Sequence, residues 1–241
     1  MANIFPKWSN TVPIKVLIGL GLLGGSVTWG TMYYFSPEYS RTGYMPEQPV
    51  PYDHSFHVGE LGLDCRYCHS NVDKSPHANV PAASTCMSCH AVVATDSQAL
   101  EPVRASYYGE DANKNGLLEP SEDVNGNGRL DGGPSVPWVR VHKTPDYAYF
   151  NHSIHVNRGI SCVECHGDVT QMKEVRHEKP LGMAFCLKCH RQPEKALRPL
   201  DKVYDLTWNP KDEPGFDHNT GKQLKKNWNI HPPTSCTGCH R

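Results

Sequence analysis

The sequence predicts a mostly α-helical and irregular fold, with almost no β-sheet and one N-terminal transmembrane helix. Three observations support this: five copies of the pattern C-x-x-C-H, twenty glycines with twenty prolines, and an uncharged stretch over residues 16–35. Only 38% of the 241 residues are hydrophobic, and part of that fraction lies in the N-terminal stretch. A soluble part with so few apolar residues and so many turn formers would pack poorly by itself. Its interior therefore needs additional apolar groups.

The C-x-x-C-H pattern is typical of sites where haem c is attached covalently: two thiols form thioethers and the following histidine binds the iron. The ten cysteines of the five motifs, which are all the cysteines in the chain, are Cys65, Cys68, Cys86, Cys89, Cys162, Cys165, Cys186, Cys189, Cys236 and Cys239. The five proximal histidines are His69, His90, His166, His190 and His240. Zinc ribbons and redox dithiols also use C-x-x-C pairs, but neither needs a histidine at this position. We therefore expect five haems c that form the core of a multihaem cytochrome c fold, in a compartment outside the reducing cytoplasm.

The N-terminal segment, residues 1–36, is predicted to be a membrane anchor. Residues 16–35 carry no charge and are long enough to span a bilayer as a helix. Lys7 and Lys15 precede the span, which predicts a cytoplasmic N-terminus and a periplasmic haem domain at the bacterial cytoplasmic membrane. The alternative is a cleaved signal peptide, but MYYFSPEYS at the end of the span is a poor cleavage site. A proline-rich linker, residues 37–51, follows the span.

The rest of the chain contains a duplicated unit. The order H-x-x-H, C-x-x-C-H, loop, C-x-x-C-H occurs in residues 52–93 and again in residues 138–200, which predicts two dihaem modules. An insertion over residues 94–137 separates them. The C-terminal segment, residues 201–241, carries the fifth motif.

Each haem iron that has one histidine requires a second ligand or an open position. A second histidine gives an electron carrier of lower potential than methionine does. Positions i and i+3 of a helical turn can reach two different haems, so the H-x-x-H pairs are the best candidates. The predicted distal ligands are His54, His57, His142, His152 and His155. The alternatives are His77, His177, His231, Met172 and Met183.

The insertion contains the sequence DANKNGLLEPSE, which matches the calcium-loop pattern D-x-[DN]-x-[DN]-G-x5-E. The predicted calcium ligands are the side chains of Asp111, Asn113, Asn115, Glu119 and Glu122, together with the carbonyl of Leu117. A second half-loop begins at Asp123, but its twelfth position is Pro134 and it lacks the glutamate that closes such loops. A solvated turn region rich in Asn and Gly has a similar composition.

The stretch FNHSIH…CVECH resembles the small class III multihaem cytochromes c. The anchor, the five motifs, WVRVHKTPDYAYFNHSIHV and CLKCHRQPEKALRP together resemble the pentahaem cytochrome c component of bacterial alternative complex III. This resemblance covers the anchor and both dihaem modules, but not the calcium-like insertion. It implies an electron-relay subunit in a quinol-oxidising membrane complex. The implied partners are an iron–sulfur/molybdopterin-type subunit, polytopic membrane subunits and a monohaem cytochrome c.

Three functions are consistent with the motifs. The first is an electron-relay subunit that is not an enzyme by itself, with five six-coordinate irons. The second is a quinol dehydrogenase of the NapC/NrfH type, and the third is a multihaem reductase, both of which need an open or unusually ligated iron. The surplus of histidines favours the relay. The net charge of −1 gives no field that would attract nucleic acid.

Overall fold

The computed structural model describes residues 6–36 and 41–240. Within these ranges there are helices and irregular segments but no β-strand; two isolated bridges join Ala148 to His240 and Ile160 to Leu197. The α-helices are α1 Val12–Phe35, α2 Cys65–Cys68, α3 Ala83–His90, α4 Glu101–Tyr108, α5 His152–Val156, α6 Val163–His166, α7 Met183–Arg191, α8 His218–Asn227 and α9 Cys236–Cys239. The predicted mostly helical and irregular fold is confirmed. Residues 1–5 of the predicted anchor and residues 37–40 of the predicted linker lie outside the described ranges.

The N-terminal helix is the longest element. A 3-10 turn at Lys7–Thr11 leads into α1, and Lys7–Phe35 is long and apolar enough to cross a membrane. The 24 residues of α1 extend over about 36 Å, which exceeds the hydrocarbon core of about 30 Å. None of its side chains is buried against the rest of the protein. A signal sequence meets the same criterion of length and composition.

Six of the eleven buried apolar side chains of the described residues form two small clusters. One contains Val50, Met87 and Val103, and the other contains Val72, Val156 and Val203. Both clusters combine residues from distant parts of the chain, and they include residues of α3, α4 and α5. The helices that carry the motifs are four to nine residues long, too short to be stable by propensity alone, and among them α3 contributes Met87 to the first cluster.

The two predicted modules contact each other through their backbones. The amide of His152 donates to the carbonyl of Pro76 at 3.2 Å, and the amide of Ser55 donates to the carbonyl of Met172 at 3.1 Å. Backbone groups of each H-x-x-H region are therefore satisfied by the other half of the chain. The C-terminal segment packs on the second half through an ion pair between Lys225 and Glu194, with an N–O distance of 2.9 Å.

Candidate haem-attachment sites

Each C-x-x-C-H motif lies on a single helical turn. The backbone amide of the motif histidine donates to the carbonyl of the first cysteine in the first motif (His69 to Cys65, 2.9 Å) and in the third (His166 to Cys162, 2.8 Å). In the fifth motif the corresponding distance is 2.9 Å. The second and fourth motifs end inside the longer helices α3 and α7. The short spacing of the motif thus folds locally into one unit that carries two thiols and one imidazole.

Backbone carbonyls fix the orientation of four of the five proximal imidazoles. The Nδ1 atoms of these histidines donate to the carbonyls of residues outside the motifs. The pairs are His69 with Asn79 at 2.6 Å, His90 with Val93 at 3.0 Å, His190 with Pro233 at 2.7 Å and His240 with Tyr147 at 3.3 Å. A ring that donates through Nδ1 keeps the lone pair of Nε2 for a metal, and this hydrogen bond increases the basicity of the ligand.

The upstream histidines are oriented in the same way. Nδ1 of His57 donates to the carbonyl of Asp53 at 2.8 Å, and Nδ1 of His155 donates to the carbonyl of Asn151 at 2.7 Å. Nδ1 of His152 donates to the carbonyl of Pro76, also at 2.8 Å. The second histidine of each H-x-x-H pair therefore uses the carbonyl four residues before it, and in all three rings Nε2 is available as a ligand.

Three of the upstream rings face a proximal ring at a distance that accommodates one metal. These pairs and the distances between their ring centroids are His57 and His90 at 6.2 Å, His152 and His166 at 6.4 Å, and His155 and His190 at 6.2 Å. With a metal–nitrogen bond of about 2 Å to each ring, two imidazoles on opposite sides of one iron have centroids about 6 Å apart. The residues present therefore fit the histidine–iron–histidine arrangement of haem c.

His54 lies beside the first motif. Its pKa is lowered to about 4, mainly because the ring is buried and then because His69 and His57 are close. Its Nδ1 atom is buried and has no hydrogen-bond partner. His54 therefore lies near His69, the proximal histidine of the first motif. The rings of the other three histidines of the H-x-x-H pairs face His90, His166 and His190 instead.

An aromatic ring supports each H-x-x-H pair, and sequence reasoning missed both rings. Tyr52 contacts His54 edge-on at 4.7 Å and stacks on His57 at 4.5 Å between centroids. Phe150 makes the same two contacts with the histidines of the second pair, at 4.7 and 4.6 Å. The signal was present in the sequence, because both repeats read aromatic-x-H-x-x-H.

His142 occupies a different environment. Its ring meets the ring of His166 edge-to-face, with centroids 4.2 Å apart, and stacks on His177 at 5.3 Å. The first distance is too short for an iron between the two rings. Burial and the nearby His177 lower the pKa of His142 to about 4. Its role as a distal ligand stays a prediction.

The alternative ligands are distributed more widely. His177 and Met172 are buried, at 1% and 3% exposure, whereas Met183 is 63% exposed and His77 is also exposed. Nε2 of His231 is within 3.0 Å of Oδ1 of Asn229. The structure therefore places His77, His231 and Met183 on the surface or in other contacts.

The two motifs within each half of the chain lie next to each other. The pKa of the Cys68 thiol is raised by burial and by the nearby thiol of Cys86, so the first and second motifs are neighbours. The pKa of Cys165 is raised to about 12 by burial and by the nearby thiol of Cys186, so the third and fourth motifs are also neighbours. The hydroxyl of Tyr67 also lies 2.6 Å from the hydroxyl of Ser88, between the helices of the first pair.

Two further contacts connect these pairs into one row. The thiols of Cys65 and Cys162 lie close together, and their interaction lowers the pKa of Cys65 and raises that of Cys162. Cys239 contributes to the raised pKa of Cys186, after burial. The motifs therefore follow the spatial order second, first, third, fourth and fifth. Cys89 and Cys236 are the exposed thiols, and they belong to the two motifs at the ends of this row.

The predicted calcium loop is folded around its first and last carboxylates. Asp111 accepts hydrogen bonds from the amides of Asn115 and Gly116, both at 3.0 Å. Glu122 accepts from the amides of Asn113 at 3.2 Å and Glu119 at 3.4 Å. Asp111 and Glu122 are each 6% exposed. Among the described residues, no group of three or more His, Cys, Asp or Glu side chains is arranged to hold a metal ion.

The half-loop that follows is closed by a residue that sequence reasoning missed. Glu110 accepts hydrogen bonds from the amides of Val124 and Asp131, both at 3.2 Å. It therefore binds the backbone of the second loop much as Glu122 binds that of the first. A signal for this was available, because a glutamate directly precedes the first aspartate of each loop: Glu110–Asp111 and Glu122–Asp123.

Parts of the chain are similar to known cytochromes c. The cytochrome c552 family profile matches residues 136–209. The multihaem cytochrome c subunit of menaquinone reductase from Nitratidesulfovibrio vulgaris is 27% identical over 120 residues, covering 50% of this chain and 46% of that protein. A cytochrome c-552 from Bacteroides fragilis is 40% identical over 68 residues, covering 25% of this chain and 13% of that protein. This chain thus spans less than half the length of the curated relatives it matches.

The motifs and these similarities point to one class of protein, because the chain resembles multihaem cytochromes c in its five C-x-x-C-H motifs and over residues 136–209. Proteins of this class carry covalently attached haem c, and the ten motif cysteines of this chain are sufficient for several haems.

Proposed function

We propose that this protein is a membrane-anchored, periplasmic cytochrome c with five haems, which relays electrons in a quinol-oxidising respiratory complex of the alternative complex III type. The electrons would pass towards a cytochrome c or a terminal oxidase. The observation that carries the proposal is the set of three histidine pairs whose centroids are 6.2 to 6.4 Å apart. Irons held between two such rings have no free position for a substrate.

We assign the distal ligands by these contacts. His57 serves the second motif, His152 the third and His155 the fourth, whereas His54 serves the first through its proximity to His69. His142 stays a sequence prediction as a distal ligand and is assigned to no particular motif, because its ring contacts His166 directly.

When bound, haem c supplies one-electron redox chemistry at iron. The chain's own groups determine how this chemistry is used. The carbonyls of Asp53, Asn151 and Pro76 hold the distal rings so that Nε2 points away from the hydrogen bond. Tyr52 and Phe150 limit rotation of the same rings. Rings fixed on both sides keep the coordination unchanged between oxidised and reduced states, as a relay requires.

The exposed ends of the row are the proposed exchange points with partners. Cys89 in the second motif and Cys236 in the fifth are exposed, whereas the other motif thiols are partly buried. Partners that deliver or remove electrons would dock at these two motifs. The proposed partners are an iron–sulfur/molybdopterin-type subunit, polytopic membrane subunits and a monohaem cytochrome c.

The membrane setting is supported by two observations. The helix Lys7–Phe35 can span a bilayer, and one relative belongs to a menaquinone reductase. We propose that this helix is an uncleaved anchor with a cytoplasmic N-terminus. A reporter fused after Pro51 should then be active only in the periplasm, and a salt wash should not release the mature protein from membranes.

The decisive test of the relay combines a haem count with ligand binding. A pyridine haemochrome assay should return five haems per polypeptide, and the reduced native complex should not bind carbon monoxide at these haems. Three or fewer haems in a matured sample would contradict the proposal. Stoichiometric carbon monoxide binding would instead favour the NapC/NrfH-type quinol dehydrogenase or the multihaem reductase, both of which need an accessible iron.

We also propose that the loop at 111–122 binds Ca²⁺ as a structural ion. Asp111 and Glu122 are almost fully buried, and neither takes part in a salt bridge of the described part of the chain. Buried carboxylates are normally paired with cations or coordinate metals. Asn113, Asn115, Glu119 and the Leu117 carbonyl would complete the site.

A further inference from the structure

A small pocket lies beside Arg41, between this residue and the segments around Lys143 and His177. Its volume is about 210 Å³, and its lining includes two basic side chains, Arg41 and Lys143, together with His177. Pro180 and Leu181 provide an apolar side. No carboxylate is among the described residues that line it. A pocket with this charge and size suits a small anionic group.

His177 is the most unusual residue of this pocket. Its side chain is 1% exposed, and neither ring nitrogen has a hydrogen-bond partner. The backbone holds the residue firmly, since the His177 amide donates to the Tyr44 carbonyl at 2.9 Å and its carbonyl accepts from the Gly43 amide at 2.8 Å. An imidazole without partners at this depth is costly, so its position implies a group that the ring binds.

Arg41 is oriented by contacts that leave one donor unused. One terminal nitrogen donates to the carbonyl of Arg140 at 3.2 Å, and the guanidinium carbon lies 4.6 Å from the centre of the Tyr44 ring. The Nε atom is buried and has no partner. A carboxylate is the group best matched to a free guanidinium N–H beside an ammonium and an imidazole.

We propose that Arg41, Lys143 and His177 form a binding site for a carboxylate. One source is a propionate of the haem attached at the third motif, because His177 stacks on His142 and His142 contacts His166. The other source is a dissolved anion. The first source rests on the proposed haem loading of the chain.

The test measures haem potentials in the full-length, matured protein. The variants are Arg41→Gln and Lys143→Gln, with Lys211→Gln as the control that removes one exposed positive charge from the C-terminal segment. Potentiometric titrations are run with and without acetate at constant pH and ionic strength. Arg41→Lys is included to separate loss of charge from disturbed folding, and a haemochrome assay of every sample reports haem loading independently.

A carboxylate site predicts a lower potential of one haem in both Gln variants, because removing a nearby positive charge favours the oxidised iron. If the carboxylate is a propionate, this shift does not depend on acetate and Arg41→Lys restores most of the wild-type value. If it is a dissolved anion, acetate lowers that potential in the wild type and the Gln variants lose this dependence. Full haem loading with potentials and acetate responses equal to those of Lys211→Gln in both Gln variants would overturn the proposal.

Discussion

The replacement His155→Met tests the assignment of distal ligands most directly. The His155 ring faces the proximal His190 with centroids 6.2 Å apart, so the change should affect the haem of the fourth motif alone. A thioether ligand favours reduced iron more than an imidazole does. Axial ligands change the reduction potential of haem over a range of about 0.8 V. We expect the reduction potential of that haem to rise by roughly 0.1–0.2 V, about a fifth of this range. For a one-electron couple, about 59 mV corresponds to a tenfold change in the equilibrium constant for reduction. The equilibrium constant for reduction of this haem would therefore increase by about 50-fold or more.

The matched control is Ile154→Met, which adds the same side chain one position earlier in α5. Ile154 is 57% exposed and lies between the two histidines of the pair. Potentiometry followed by optical and EPR spectroscopy should show thioether ligation of one haem in His155→Met and none in the control. An unchanged set of potentials in a fully loaded His155→Met sample would refute the assignment of His155 as a ligand.

Other parts of the molecule can be tested by binding and stability measurements. Glu122→Gln should weaken Ca²⁺ binding at least about tenfold by calorimetry and leave the haem spectrum unchanged, whereas Glu101→Gln, a change at an exposed position, should not alter binding. Val103→Ala should destabilise the protein by about 1–3 kcal/mol in denaturant titrations, because this 1% exposed side chain joins the first apolar cluster and its truncation leaves a cavity. The hydroxyl of Thr207 donates to Asp205 at 2.8 Å, and this bond lowers the pKa of the Asp205 carboxyl below its ordinary value. As the pH decreases, the Asp205 carboxyl is therefore protonated in the unfolded chain before it is protonated in the folded protein. The free energy of unfolding should fall below about pH 4, and it should fall less steeply in Asp205→Asn.

Sequence patterns predicted the local features well, because these depend on short spacings. The mostly helical and irregular fold and the N-terminal apolar helix are examples. The spacing of the H-x-x-H pairs predicts two histidines on one helical turn, and His152 and His155 do lie on α5. The first pair lies instead at a π-helical turn, with His57 inside Ser55–Glu60 and His54 directly before it.

Sequence patterns were less informative about side-chain positions that depend on tertiary packing. His142 lies only ten residues before His152, which favours it as a ligand, yet packing places its ring against His166. The aromatic residues that support the ligand rings were visible as a repeat, but their role depends on contacts between side chains. Glu110 closes a loop that begins thirteen positions later, a relation that a consecutive calcium-loop pattern does not contain.

The order of the motifs shows why the two halves of the chain act as one unit. A fold made of two independent dihaem modules would orient each ligand with its own backbone, as His57 and His155 do. His152 instead donates to the carbonyl of Pro76, which belongs to the first half, although its ring faces a motif of the second half. The thiol contact between Cys65 and Cys162 lies at the same junction. Loss of the first half should therefore disturb ligand orientation at the third motif, because the middle of the row is built from both halves.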